Sequence, residues 1–343
     1  MAAPWRAIPC KVNHLRLDIV LASGQSFRWR QSEDSVWTGV FKGKVWTLKQ
    51  DDLNIYYQVY EYDSCSKTRK AIKLEPSQDS NDVILRDYFQ LDVDVLKLYN
   101  KWAEHDPYFK KIASDFSGIR ALRQDPIENL FSFICSSNNN ISRITGMVEK
   151  LCTMYGEKVA KVDGTQYYSF PSVGSLAGPK VEEQLRKQGF GYRAKYIYQS
   201  AKMIVDKGVE WLYNLKNVDY EQARQDLMEL PGVGAKVADC VCLMSLDKTS
   251  AIPVDTHVWQ VTAKYYIPNL SKTKSLTDKL YKQIGDYYRH KFGDYAGWAQ
   301  FVLFSADLKK FQNLQQEVQT LPQKRPSSTT ESKPDKTAKK KKS

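Results

Sequence analysis

Lys236 stands two residues beyond a Pro-Gly-Val-Gly turn in LPGVGAKVADC (230–240), and Asp255 opens a periodic apolar segment in AIPVDTHVWQV (251–261). An amine and a carboxylate brought together can do covalent chemistry at an electrophilic carbon. The neutral amine attacks, and the carboxylate stabilises the positive charge that develops. Lys236 opens a helix, where the positive end of the dipole disfavours a cation and, with partial burial, favours the neutral amine. Read alone, it is more simply a solvated charge held on a phosphate. Asp255 is placed to N-cap a helix starting at Thr256, the common role for Asp there, and a carboxylate held by cap N–H groups stays ionised. The stripe Val237, Val241 and Met244 forms the core face of the lysine's helix and leaves Lys236 off it. Its neighbour one turn on is Cys240, for which a buried, inert thiol is the default. His257 reads equally well as a phosphate donor and as a packed histidine.

The turn itself suits an anion. Gly232 and Gly234 let the main chain turn tightly and approach a phosphate without Cβ hindrance, and the free N–H groups that follow point at the charge. Such a hairpin grips a nucleic-acid backbone without reading sequence. A plain turn between two helices is the alternative, and the charge balance favours the grip. The chain of 343 residues carries a net charge of +12. Residues 323–343 hold eight Lys/Arg and two acids, hence +6, and leave +6 for the rest. Nucleic acid is therefore the leading partner class on charge. The six cysteines (Cys10, Cys65, Cys135, Cys152, Cys240 and Cys242) lack paired spacing and read as reduced thiols. With the four histidines they form no zinc or iron–sulfur signature, so no metal or cofactor is expected. No apolar run reaches membrane-spanning length, and the N-terminus lacks the layout of a secretory signal.

The elements that must position these residues fall into two parts. VWTGVFKGKVWTLKQ (36–50) reads as a hairpin turning at Lys42-Gly43, NIYYQVY (54–60) as a further strand, and LRLDIVLASGQSFRWR (15–30) as one more. Residues 62–85 read as a loop. From about residue 90 the period becomes helical. Asp125-Pro126 caps a helix with the stripe Ile127, Leu130, Phe131 and Ile134. CSSNNN (135–140) is a loop, a helix closing at Gly156 follows, and Asp219 caps the helix entering the hairpin. The last twenty or so residues are poor in apolar side chains and read as disordered.

LPGVGAKVADC with PVDTH resembles the helix–hairpin–helix base-excision DNA glycosylases. SGQSFRWR (23–30), FSFICSSNNNISRITGM (131–147), GFGYRAKY (189–196) and YAGWAQFVLFSADL (295–308) sharpen this to a resemblance to the eukaryotic 8-oxoguanine DNA glycosylase/AP lyases, over about residues 10 to 310. It implies an α+β fold: an N-terminal antiparallel β domain of the TATA-binding-protein type (1–92), an all-helical domain carrying the hairpin (93–318), and a basic tail (319–343). It implies Lys236 as lyase nucleophile and Asp255 as catalytic aspartate. Gly24, Cys240, Gln300 and Phe304 are implied as contacts to the lesion base. Asn138 is implied as the wedge in the base stack, Arg143 and Arg193 as donors to the orphaned cytosine, Tyr192 as the intercalated ring, and His257 as a phosphate contact. Without the resemblance, Phe304 reads as core, the asparagines as loop and the arginines as solvated charges. A structural cation at the hairpin carbonyls near Met228, Leu230 and Val233 is also implied, although the residues give no ligand signature.

The activity so implied is removal of 8-oxoguanine, and of formamidopyrimidine-guanine, opposite cytosine in duplex DNA, followed by strand nicking through a Schiff base. The partner is then double-stranded DNA, the enzyme a monomer, and the KKKK tail points to the nucleus, with a mitochondrial pool left open. Two rivals remain: a non-catalytic helix–hairpin–helix DNA-binding module, and a glycosylase of the same fold for alkylated bases.

Overall fold

The computed structural model describes residues 4–61, 80–272 and 275–311. Its N-terminal part is a five-stranded antiparallel sheet of order β1-β5-β4-β3-β2, from β1 (Arg6–Pro9), β2 (Arg30–Gln31), β3 (Trp37–Phe41), β4 (Lys44–Gln50) and β5 (Asn54–Tyr60). The β3–β4 turn falls at Lys42 and Gly43 as expected. Both have positive φ, 50° and 70°, the left-handed pair that matches the twist of a two-residue hairpin.

Two expectations fail here. The 15–30 segment is not a strand: it makes a short helix, Leu17–Val20, then an irregular run, and joins the sheet only at Arg30. Its leucines and isoleucine fit both periods. Tertiary contacts decide, because Gln50 accepts from the Leu17 N–H (3.1 Å) and donates to the Leu15 carbonyl (2.6 Å), pinning the turn to β4. The second failure is in the expected loop of 62–85. Residues 62–79 lie outside the described residues, but Ser80–Tyr88 is a helix burying Leu85 and Tyr88 on one face. A mostly polar helix with one apolar edge gives too weak a period to be seen.

The caps behave as read. Asp125 accepts from the N–H groups of Ile127 and Glu128 (2.9 and 3.2 Å) and starts the helix Pro126–Ile134, buried on most of its surface. The loop 135–140 ends at Asn140, which caps Ile141–Tyr155 by accepting from Arg143 N–H at 2.9 Å. The part expected to be all-helical also holds a small antiparallel hairpin, β6 (Lys158–Val162) and β7 (Thr165–Tyr168). Its Val159 and Val162 pack on Val40 and Val45 of the main sheet. The signal was Asp163-Gly164, again both at positive φ, between two β-rich runs. A single apolar cluster runs from Trp46 and Tyr57 of the sheet through Phe131 to Trp298 near the C-terminal end, so sheet and helices share one core.

Candidate active site and nucleic-acid interface

The hairpin joins Tyr220–Met228, capped by Asp219, to Ala235–Ser245, the lysine helix. Leu230 and Val233 are buried and tied together, Val233 N–H donating to the Leu230 carbonyl at 3.1 Å. The Ser200 hydroxyl donates to the Pro231 carbonyl at 2.8 Å. The two glycines differ. Gly232 sits at φ +82°, and a Cβ there would meet the Tyr196 side chain at 2.6–2.7 Å. Gly234 is the exposed N-cap at φ −91°, with open space around a Cβ, so the turn does not require glycine there. Gly232→Ala is therefore expected to lose about 2 kcal/mol or more, from left-handed strain plus overlap. Gly234→Ala should melt with wild type; if the hairpin grips a phosphate as the sequence suggests, it should also bind duplex DNA more weakly, because the added methyl group crowds that approach. Paired melting curves and duplex titrations check both.

The lysine helix is not amphipathic as its stripe suggested. Val237 through Ser245 are all buried, because helices pack around it on every side. Asn129, from Pro126–Ile134, donates to Ser245 Oγ at 2.7 Å and lies 3.4 Å from the Cys240 carbonyl. Lys236, half-buried at the mouth, donates to Ser136 Oγ at 3.1 Å, and its Nζ stands 4.5 Å from the centre of the Phe133 ring. Cys240 faces both candidate catalytic charges. Burial pushes its thiol up to about 12 against the pull of Lys236, and the Asp255 carboxylate adds to the rise. The thiol stays protonated and offers no thiolate.

Asp255 caps Thr256–Tyr265, accepting from Val258 N–H at 2.9 Å. The residues leading into it hang from an assembly that the motifs did not disclose. Tyr281 OH accepts from Val254 N–H (3.3 Å), lies 3.2 Å from the Ile252 carbonyl, and gives its proton to Asp239 Oδ2 at 2.5 Å. Asp239 belongs to the lysine helix, is fully buried, accepts from Tyr220 OH at 2.7 Å, and has Arg224 at 3.3 Å. Burial raises its carboxyl to about 6, with the two tyrosine hydroxyls and Arg224 and Arg289 opposing the rise. An acid inside the apolar run VADCVCLM was the one available hint. The assembly fixes the Asp255 segment to the helix bearing Lys236. Tyr281→Phe should cost about 1–3 kcal/mol by leaving Val254 N–H and Asp239 short of a partner. With Asp255 in the catalytic role expected of it, the substitution should slow base release roughly 10-fold with duplex affinity unchanged. Single-turnover kinetics beside a binding titration separate the two effects.

Gln300 and Phe304 lie one turn apart on the helix Ala296–Asp307. Gln300 is 3% exposed, and its Oε1 has no hydrogen-bond partner among the described residues. Phe304 is half-buried and meets the exposed His257 ring edge-on, centroids 5.9 Å apart, which sets this helix against the one Asp255 caps. Gly297 makes the approach close: a Cβ there would meet Leu243 of the lysine helix at 2.5 Å.

Gly24 has φ +82°, and a Cβ there would stand 3.1 Å from Ile141 at the start of the helix Ile141–Tyr155. Its neighbour Gln25 holds the segment, donating to the Arg120 carbonyl and accepting from Leu122 N–H, both at 2.9 Å. Phe27 packs edge-on against Phe133, the ring under Lys236, with centroids 5.6 Å apart.

A second group forms across the 135–140 loop. Asn138 is exposed with φ +46°, a conformation asparagine tolerates better than most residues. Arg193 is buried, and its guanidinium donates to the Ser137 carbonyl and, at 3.2 Å, to that of Asn138, while its Nε has no partner among the described residues. Tyr192 is exposed, donates to the Ser137 carbonyl at 3.1 Å, and lies beneath the Arg193 guanidinium. Arg143 is exposed on the first turn after Asn140, and its side chain makes no hydrogen bond or ion pair among the described residues. The structure thus gathers Lys236, Cys240 and Asp255 in one group, sets Phe304 and His257 beside it, and places Asn138, Tyr192 and Arg193 in a second. Arg143 contacts neither.

A sheet domain feeding a helix–hairpin–helix core, with a lysine behind the hairpin and a capping aspartate beside it, defines a base-excision DNA glycosylase with lyase activity. Residues 7–130 match the model described as 8-oxoguanine DNA glycosylase, N-terminal domain, and residues 131–286 that of the HhH-GPD superfamily of base excision DNA repair proteins. The N-glycosylase/DNA lyase OGG1 of Arabidopsis thaliana is 40% identical over 307 residues, 88% of this chain and 80% of the relative. The N-glycosylase/DNA lyase of Saccharomyces cerevisiae is 39% identical over 86% of this chain and 84% of its own. Among solved structures, MBOgg1 with a low-affinity DNA ligand superposes with a TM-score of 0.75 at 31% identity, covering 89% of this chain and 96% of that one. The 8-oxoguanine glycosylase/lyase of Clostridium acetobutylicum, bound to duplex DNA with cytosine opposite 8-oxoG, gives 0.72 at 30% identity over 85% and 91%. The chain belongs to the 8-oxoguanine DNA glycosylase/DNA lyase family. It is a bifunctional N-glycosylase/DNA lyase of base-excision repair.

Proposed function

We propose that the enzyme flips 8-oxoguanine, or formamidopyrimidine-guanine, out of duplex DNA opposite cytosine and excises it with Lys236 as nucleophile. The supporting observation is the buried, unpartnered Oε1 of Gln300, one turn from the Phe304 ring. An unmet buried acceptor is costly, and the Watson–Crick edge of a guanine-type base offers the N–H donors that satisfy it. Phe304 and Cys240 supply the two faces of the slot. Discrimination falls to the Gly24 carbonyl. Normal guanine shows a lone pair at N7, whereas the oxidised base shows N7–H there. A carbonyl attracts one and repels the other, worth about 1–3 kcal/mol on the scale of an unmet buried group.

As the bond from C1′ to N9 breaks, the base leaves with the electron pair and takes up a proton. The Lys236 amine adds to C1′, and the Asp255 carboxylate stabilises the cationic sugar. Opening of the sugar ring gives a Schiff base. Loss of a 2′ proton then expels the 3′ phosphate. Asn138 fills the vacated stack, Tyr192 inserts beside it, Arg143 and Arg193 hold the cytosine, and Gly232, Gly234 and His257 hold phosphates. In this reading the enzyme acts as a monomer and works in the nucleus.

A single-turnover panel tests the substrate assignment. Release should be fastest for 8-oxoguanine opposite cytosine, slower opposite adenine, and negligible for undamaged guanine. Faster release of 3-methyladenine would overturn it in favour of an alkylated-base enzyme.

A further inference from the structure

The clearest unassigned feature is a cleft of about 500 Å³ on the sheet domain, where β1 ends against the start of β5 and the helix Ser80–Tyr88. Lys11, His14, Arg86 and Arg120 line it together with Cys10, and none of its lining residues is acidic. Arg120 is 1% exposed, and its guanidinium donates only to main-chain carbonyls: His14 at 2.5 Å, Gln90 at 2.7 Å and Val93 at 2.8 Å. Among the described residues no carboxylate pairs with it, and Asp94 and Asp92 reach it only through their field. Cys10 supplies no compensating charge, because burial pushes its thiol up despite the pull of Arg120 and Arg86. Among the described residues the side chains of Lys11, His14 and Arg86 have no ion-pair or hydrogen-bond partner, so four basic groups face one opening.

A guanidinium out of water with carbonyl partners alone is stabilised by an anion nearby, and unpaired basic groups around a concave surface focus field on one. From these residues we infer that the cleft binds a phosphate group, through Lys11 and Arg86 at the rim and the field of Arg120 at the base. None of the residues that carry the proposed reaction lines the cleft, so the inference stands or falls apart from that reaction. The phosphate has two sources, a free phosphate ester and the backbone of flanking DNA.

The test uses the full chain and the double variant Lys11→Gln/Arg86→Gln, which leaves Arg120 in place. Inorganic pyrophosphate at low ionic strength should raise the wild-type melting temperature saturably, by about 3 °C near saturation. It should have little effect on the double variant. The second arm measures undamaged-duplex affinity against salt. A slope unchanged by the two substitutions, with the pyrophosphate response lost, supports a free phosphate ester. A slope shallower by about 1 per lost contact supports a DNA phosphate. An equal pyrophosphate response in both proteins, or no response with no change of slope, overturns the proposal.

Discussion

Borohydride added during turnover of an 8-oxoguanine·C duplex is expected to trap the wild-type chain on DNA, and Lys236→Gln to reduce the trapped species at least about 100-fold, the scale of losing a positioned reacting group. Glutamine cannot form a Schiff base. It keeps a donor in reach of the region where Lys236 meets Ser136 Oγ, and it suits a helix nearly as well as lysine. Loss of fold would therefore not explain a lost adduct, and melting the variant confirms the point. Strand nicking should fall with the adduct. An undiminished adduct would assign the nucleophile to another residue. Cys240 is the nearest candidate, but its thiol is held protonated by burial.

The second large effect is at Asp255. Asp255→Asn should slow base release by about 100-fold or more, the usual cost of removing one preorganised electrostatic contact to the transition state. Duplex binding and stability should stay near wild type. Asparagine caps a helix as well as aspartate, so the bond to Val258 N–H survives and only the charge is lost. Asp255→Ala separates the roles: it loses the cap as well, at about 1 kcal/mol. Turnover near wild type in the asparagine variant would reduce Asp255 to a helix cap.

What was legible beforehand depended on how far the deciding contacts lie along the chain. The Lys42-Gly43 turn and the caps Asp125, Asp219 and Asp255 are settled within a few residues, and the structure has each of them. The helix at Leu17–Val20 is decided by Gln50, more than thirty residues away, and no local period could announce it. Gln25 is similar, since its amide is held by Arg120 and Leu122. The Asp239 assembly joins three separate segments through Tyr220, Tyr281 and the backbone at 252–254. The β6–β7 hairpin differs, because its Asp-Gly turn was in plain view and helical neighbours obscured it. Gly234 shows the opposite error, a glycine credited with a conformation that its φ of −91° does not need.

Ser136 and Ser137 are adjacent in the chain, yet one receives the Lys236 amine and the other receives Tyr192 and Arg193. The peptide between them is a shared lever. Neighbouring Cα atoms are about 3.8 Å apart across one planar peptide, so the two contacts are anchored within a single short stretch of the same loop. The two halves of the surface are mechanically in series. On the proposed reading, a duplex seated at Tyr192 and Arg193 bears on the same loop that carries Ser136, the partner of the Lys236 amine.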